Sequence, residues 1–364
     1  LREPGLDGPP GALVELVDRR DQPLCWGLTD EGVIAVRVLG HGTAPASFDA
    51  WLKGRITAAA RLRRALLGGD DTDAWRLVCG EGDGLSGLIV DRYGALAVLR
   101  LYGEAWAPHL DAIVGALVAL PEITSVYQRF GVKRVDDREG GLALAGAEPD
   151  DLLVVREHGM KMIVRPKSGQ KTGMFLDQRE HRALVRKLSR GRDRAANLFG
   201  YTGGFSIAAV LGGARRVVTV DQAPAALADA REVFRLNGVD PDRHGFEQAD
   251  AFAWRSAAPL DLLIVDPPTL ARDKNAVAAA VSAYRNLHRA LGPSVAPEGL
   301  LVSASCTARV SADRWLEAVA EGLGPTGPWS RLWSSTEPVD HPTDLVHVEG
   351  RYLKLAVLHR RPPA

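Results

Sequence analysis

Ala195-Ala196-Asn197-Leu198-Phe199-Gly200-Tyr201-Thr202-Gly203-Gly204-Phe205-Ser206 reads as a short buried strand running into a glycine turn that opens a helix. After that helix comes Val217-Val218-Thr219-Val220, a β-branched run ending on Asp221. Strand, glycine-rich turn, helix, strand and acidic residue make a nucleotide-binding half. Glycine suits the turn because backbone N–H groups must approach a ligand more closely than a Cβ allows. The acidic residue stands where a carboxylate accepts hydrogen bonds from ribose hydroxyls. The glycine spacing is not strict G-x-G-x-x-G, so this stretch alone leaves a nicotinamide-dependent oxidoreductase open.

Downstream the rhythm repeats. A helix is expected over Pro224–Leu236, stopped by Asn237-Gly238, where glycine supplies the left-handed cap. Strand Gly245–Gln248 runs to Asp250, and Leu262–Val265 runs to Asp266-Pro267-Pro268. Leu300–Ala304 runs to Ser305-Cys306-Thr307, and Arg351–Leu358 is expected as a closing edge strand. Asp221, Asp250, Asp266 and Cys306 thus all fall at carboxyl ends of strands, where open α/β sheets hold their ligands.

Upstream, Ala12–Asp18, Leu24–Leu28 and Gly32–Leu39 alternate at period two across hairpin-sized gaps, which predicts a small β-barrel. From Phe48 to Leu67 the pattern is helical, with Trp51, Ile56, Ala59, Leu62 and Leu66 expected on one side. Residues 71–150 read as α/β: strands at Trp75–Cys79, Leu88–Tyr93, Leu96–Leu101 and Ser125–Arg129, and a helix over Ala107–Leu120. Leu152–Val164 forms two alternating strands about a His158-Gly159 turn, followed by a helix carrying Leu184, Val185 and Leu188.

Composition bounds the function classes. Lys plus Arg and Asp plus Glu stand at 45 each, so any nucleic-acid affinity comes from local patches. The cysteines Cys25, Cys79 and Cys306 are widely spaced without C-x-x-C, which argues against a disulfide framework or a zinc site and makes a reducing, cytoplasmic compartment the default. No apolar run has the length of a membrane span, no metal is expected, and Leu1–Gly5 lacks signal-peptide character. Arg156, Lys161, Arg165, Lys167, Lys171, Arg179, Arg182, Arg186, Lys187, Arg190, Arg192 and Arg194 concentrate beside the nucleotide half, a candidate phosphate-contacting surface and equally a solvated face.

Gly200–Gly204 with Asp221, then Asp250, then Asp266-Pro267-Pro268, resembles the ordered motif set of class I methyltransferases that use S-adenosylmethionine. Lys171-Thr172-Gly173-Met174-Phe175-Leu176-Asp177-Gln178-Arg179, Glu81–Gly94 and Ser305-Cys306-Thr307 sharpen the match. Together they resemble the RlmI-like ribosomal RNA cytosine-5 methyltransferases. The resemblance implies an α/β fold: a truncated PUA-like β-barrel over 1–47, a connecting helix and central α/β domain over 48–165, and a Rossmann-like methyltransferase domain over 166–364. It also implies an RNA partner, 23S ribosomal RNA, with no membrane and with a homodimer as a possible assembly.

Carried over residue by residue, the resemblance puts the methionine end of the cofactor against Gly200 and Gly203. Asp221 goes to the ribose, Asp250 to the adenine amino group, and Asp266 beside both cofactor and base, with Phe199, Tyr201 and Gln222 as further cofactor-binding residues. Lys171, Asp177, Gln178 and Arg179 line the cofactor from the other side. Carbon 5 of cytosine is not nucleophilic in the intact ring, so a thiolate adds to carbon 6 first. Cys306 is the expected nucleophile and Asp266 the group supporting charge on the ring. A free thiol titrates at about 8.5, so Cys306 needs a helper, for which Arg309 and Lys274 are candidates. Two rivals stay open: methylation of another base atom without a covalent intermediate, and a non-catalytic RNA-binding factor.

Overall fold

A computed structural model describes residues 8–31, 33–69, 71–132, 135, 139–345, 347 and 350–362. Leu1–Gly5 and Gly32, the first residue of the third expected strand, lie outside the described residues. The chain divides into two compact units. One holds Leu1–Gly159, Val164–Leu176 and Val339–Gly350, and the other Met160–Ile163, Asp177–Pro338 and Arg351–Ala364.

The first unit opens on an antiparallel sheet of β1 (Leu13–Val17), β2 (Pro23–Thr29) and β3 (Val36–His41). Helix α1 (Phe48–Leu67) starts where expected, its N-cap Ser47 accepting from Ala50 N. It leads to a five-stranded sheet, β4 (Ala74–Cys79), β5 (Leu88–Tyr93), β6 (Leu96–Leu101), β7 (Ser125–Arg129) and β8 (Gly141–Ala145), in sequential order. Helix α2 (Leu110–Val118) makes the crossover between the parallel pair β6 and β7. Trp26, Leu28, Ile56, Leu77, Leu99 and Trp106 share one apolar core. The expected face of α1 is corrected. Leu62 and Leu66 are exposed, whereas Arg63 is fully buried with Leu52 and Ile56. Arg63 can go inside because its two Nη atoms meet both oxygens of Asp83 at 2.6 and 2.7 Å and its Nε donates to Arg76 O. The chain leaves this unit through β9 (Leu153–Glu157) and enters the second with β10 (Met160–Val164).

The second unit is a seven-stranded sheet with helices on both faces. Its strands are β11 (Arg194–Leu198), β12 (Arg216–Asp221), β13 (Gly245–Gln248), β14 (Leu260–Val265), β15 (Val295–Ser305), β16 (Trp329–Ser335) and β17 (Lys354–Arg360). They lie in the order β13-β12-β11-β14-β15-β17-β16, parallel except for β17, which is antiparallel to both neighbours. The helices are α3 (Arg179–Leu188), α4 (Gly204–Leu211), α5 (Pro224–Leu236), α6 (Val277–Leu291) and α7 (Ala312–Leu323).

Strand residues alternate between two cores. Leu263, Val265 and Leu301 pack with Tyr284, Leu287 and Trp315 from α6 and α7, while Leu262, Ile264 and Val302 pack with Val185 and Phe205 from α3 and α4. Burial on both faces is why these strands read as continuous apolar runs, each large side chain contributing roughly 1.5–3 kcal/mol. The expectation of a closing edge strand is corrected. β17 is interior, sandwiched between β15 and β16, and β16 forms the edge with Leu332 and Trp333 exposed. Strand order reverses at β11, whose neighbours are β12 and β14, so the ligand crevice belongs outside the carboxyl ends of these strands.

Candidate functional site

At the carboxyl end of β11 the chain turns sharply. Phe199 and Tyr201 take left-handed φ values of 59° and 45°, and Gly203 follows at 75°. Two non-glycine residues in this region cost about 1 kcal/mol or more each, so the turn is held by its surroundings. Gly200 N donates to Val220 O at 2.9 Å, Gly203 N to Gly200 O at 2.9 Å, and Tyr201 N to Asp221 Oδ2 at 2.8 Å. A Cβ on Gly203 would stand 2.8 Å from Ala230 Cβ, and one on Gly200 2.6 Å from Thr219 Cγ2. The glycines therefore set α4 close to its neighbours as well as shaping the turn.

Asp221, the last residue of β12, accepts from Tyr201 N with one oxygen and from Ala223 N, at 2.9 Å, with the other. Gln222 beside it is exposed. Past β13, Asp250 is exposed, and its Oδ1 accepts from Phe252 N at 3.0 Å. The Phe252 ring is itself exposed and meets Phe199 edge-on, centroids 5.1 Å apart. Two carboxylates and an apolar ring thus line one edge of the sheet.

Past β14, Asp266 receives Gln178 Nε2 at 3.0 Å on Oδ2. Gln178 is buried, and its Oε1 lies 2.5 Å from His181 Nδ1, while His181 Nε2 lies 3.2 Å from Ser335 Oγ. Burial pushes the His181 pKa down to about 4. The ring is therefore neutral at neutral pH, with Nδ1–H donating to Gln178 and the Ser335 hydroxyl donating to Nε2. Neighbouring Asp177 is buried and receives the Tyr352 hydroxyl at 2.6 Å, and Arg179 is fully buried with Nε 3.0 Å from Glu180 Oε1.

Past β15, Cys306 is half-buried, its Sγ 3.3 Å from Thr269 Oγ1 of the Asp-Pro-Pro-Thr turn. Residues on either side are anchored by Tyr284, whose hydroxyl stands 2.8 Å from both Ser305 Oγ and Thr307 Oγ1. Burial pushes the Tyr284 pKa up to about 12, so it stays a neutral phenol. Thr307 Oγ1 also accepts from Leu270 N at 3.1 Å, joining the two turns. Buried Lys354, the β17 residue opposite Ser305, donates to the carbonyls of Thr307 and Val310 at 2.9 Å each. Burial lowers its pKa, and a charge on Cys306 opposes that shift. Lys354 is thus a buried cation within electrostatic reach of Cys306, and the expected helpers Arg309 and Lys274 are both exposed.

Lys171, at φ 54°, belongs to the first unit, where its Nζ lies over the Phe175 ring at 4.7 Å and its carbonyl accepts from Arg100. The basic run is largely spent within the protein. Arg156 pairs with Asp73, Lys167 with Glu148 and Arg165 with Asp151, and Arg179 and Arg182 are buried. Lys161, Lys187, Arg190 and Arg194 remain exposed. Among the described residues no cluster of three or more His, Cys, Asp or Glu side chains forms a metal site, and no helix is long and apolar enough to cross a membrane.

Sequence reasoning placed Asp221, Asp250, Asp266 and Cys306 on one sheet edge, which the structure bears out as geometry. It missed Lys354, Tyr284 and His181, none of which had a local signal.

A sequence model of the S-adenosylmethionine-dependent methyltransferase family matches residues 98–340. The chain is 39% identical to a ribosomal RNA large subunit methyltransferase of Deinococcus radiodurans, over 98% of this chain and 91% of that one. It is 34% identical to ribosomal RNA large subunit methyltransferase I of Erwinia tasmaniensis, over 82% and 78% of the two chains. A solved structure described as a methyltransferase complexed with S-adenosylhomocysteine shares the fold, with TM-score 0.84 at 24% identity over 98% and 93% of the chains. The chain belongs to the family of S-adenosylmethionine-dependent methyltransferases that includes these ribosomal RNA large subunit enzymes, and S-adenosylmethionine is its cofactor.

Proposed function

We propose that this enzyme methylates carbon 5 of a cytosine in 23S ribosomal RNA through a transient bond between Cys306 and carbon 6 of the base. The observation that carries this reading is the adjacency of two strand ends. β14 and β15 are parallel neighbours with Val265 opposite Ser303, and Asp266 and Cys306 follow them on the same edge. The relatives' names support a ribosomal RNA substrate. The reading keeps the partition into 1–47, 48–165 and 166–364, a cytoplasmic location and a homodimer as one possible assembly, and requires no metal.

The donor set fits the cofactor. Each Asp221 oxygen holds one backbone N–H and retains a lone pair for a ribose hydroxyl, with Gln222 alongside. Asp250 and the exposed Phe252 ring suit an adenine amino group and face. Phe199, Gly200, Tyr201 and Gly203 shape the floor under the methionine end, and Asp177, Gln178 and Arg179 stand in the assigned lining. Lys171 keeps its place on the resemblance alone. Bound there, S-adenosylmethionine supplies an electrophilic methyl group on a sulfonium sulfur.

The chain's own groups then have defined tasks. The Cys306 sulfur gives an electron pair to carbon 6, and the displaced π pair moves to carbon 5, which would take the methyl group as the sulfur–methyl bond breaks and its electron pair stays on the donor sulfur, leaving a neutral thioether. A base removes the carbon 5 proton, the carbon–sulfur bond breaks, and the thiolate is restored. Lys354 favours the thiolate by placing an ammonium beside it, and Thr269 offers a hydroxyl to the sulfur. Asp266, oriented by Gln178, supports the ring edge carrying N3 and the amino group.

RNA containing 5-fluorocytidine tests the mechanism, because fluorine cannot leave carbon 5 as a cation and the adduct is trapped. A denaturation-stable protein–RNA complex is expected with the native enzyme and none with Cys306→Ala. Full methyl transfer by Cys306→Ala would sink the covalent step and favour direct attack by another base atom.

A further inference from the structure

Away from the machinery above, the first unit carries a groove of about 450 Å³. Arg64 comes from α1, Trp75 from β4, Arg92 from β5 and Arg156 from β9, with Glu122 and Asp73 between them. The carboxylates are occupied in a particular way. Both Glu122 oxygens meet Nη2 of Arg64, at 3.0 and 3.2 Å, and Asp73 meets the backbone N and the Nε of Arg156, at 2.6 and 3.0 Å. Arg92 spends its Nε on Gly94 O at 2.7 Å and lays its guanidinium over the buried Trp75 ring, 4.2 Å from the centroid. Among the described residues, Nη1 of Arg64 and both Nη atoms of Arg92 and Arg156 have no protein acceptor. Three cations thus face two carboxylates, and the outward donors outnumber the acceptors. Burial lowers the Arg92 pKa, Glu122 and Asp73 oppose this, and Arg64 adds to it.

We infer that this groove is an RNA-binding subsite that takes one single-stranded nucleotide, its phosphate between Arg64 and Arg156 and its base on the outer plane of the Arg92 guanidinium. Three features select this ligand. Guanidinium forks match phosphate oxygens, and a guanidinium braced on tryptophan is a flat stacking platform for any base. The volume lies within the range of small-ligand pockets, about 300–1,000 Å³. Arg64 and Arg156 are 48% and 47% exposed, so the groove is open and admits a polynucleotide entering and leaving, whereas a free nucleotide is usually enclosed. The inference rests on the RNA reading of the proposed function, but uses neither Cys306 nor Asp266.

The test uses the full chain and an unmodified large-subunit ribosomal RNA transcript, with affinity measured over a series of KCl concentrations. Arg64→Gln and Arg156→Gln should each lower the slope of log affinity against log salt by about 0.7, and together weaken binding about tenfold at low salt. Transcript carrying 4-thiouridine should cross-link to the peptide containing Arg92, the residue whose outer face takes the base. S-adenosylmethionine affinity, measured by calorimetry, should match the native protein and so report an intact fold. Arg64→Gln alone, on an exposed helix position, keeps the test decisive if Arg156→Gln misfolds. Unchanged slope and affinity in both variants, with the native chain binding and methylating RNA, would overturn the subsite while leaving the proposed function standing. Failure of the native chain to bind RNA at all would overturn both.

Discussion

Gln178 Nε2 donates to Asp266 Oδ2 across 3.0 Å, and the same amide's Oε1 lies 2.5 Å from His181 Nδ1, so the imidazole holds the amide in the orientation the carboxylate accepts. A neutral imidazole giving its Nδ1–H to Gln178 Oε1 leaves the amide only its NH₂ to offer Asp266. His181 is thus a positioning residue. His181→Phe should free the amide to rotate and lower kcat about tenfold or more, the value of one hydrogen bond to a charged group, with KM for S-adenosylmethionine within about twofold. His181→Asn, whose amide can again donate, should recover part of the loss. Equal kcat in all three proteins would reject the relay.

How much of this was legible follows from how far apart the partners lie in the chain. Helices over Phe48–Leu67 and Pro224–Leu236 and the strand Gly245–Gln248 stand where the periodicity and the Gly and Pro stops put them. Local chemistry ends those elements, and two-sided burial writes itself as an apolar run. β17 was misplaced at an edge because its slot depends on β16, whose exposed Leu332 and Trp333 break the alternation of a half-buried strand. Gln178 and Asp266 are 88 residues apart, and Lys354 lies 47 residues from Thr307, so no window of sequence contains either pair. Arg63 reads as a surface residue until Asp83 is known to receive it.

Gly203 is a point where fold and site share one atom position. Alanine there would have to hold φ at 75° and bring its Cβ to 2.8 Å from Ala230 Cβ, which demands movement of α5. Gly203→Ala should cost about 2–4 kcal/mol in urea unfolding and weaken S-adenosylmethionine binding in calorimetry. Native stability in this variant would show that the turn tolerates another conformation.

His288 predicts a dependence of stability on pH. It is fully buried, with ring nitrogens 2.7 Å from Tyr284 O and 2.8 Å from Ser303 Oγ, and burial pushes its pKa from 6.5 to about 4. Between those values the unfolded chain binds the extra proton. The contribution is therefore complete above about pH 6.5 and is lost as pH falls toward the folded pKa, up to roughly 3 kcal/mol. His288→Gln keeps both hydrogen bonds in kind and should flatten the stability profile between about pH 5 and 6.5. Parallel profiles for native and variant proteins in urea titrations would remove His288 as the source.

Lys354 joins the scaffold to the chemistry. Its ammonium closes the Thr307 and Val310 carbonyls and lies within electrostatic reach of Cys306. Lys354→Met keeps much of the side-chain volume but removes the charge. The two carbonyls lose their donor, costing about 1–3 kcal/mol of stability. With the cation gone, the thiolate forms only at higher pH, so the rising limb of methyl transfer against pH should move in the alkaline direction. Stability and rate separate the two roles, since a purely structural lysine would lower the melting temperature and the overall rate without displacing the limb. A limb at the native position in a folded Lys354→Met protein would therefore end the assignment of Lys354 to thiolate stabilisation and leave it as a strut between β15 and β17.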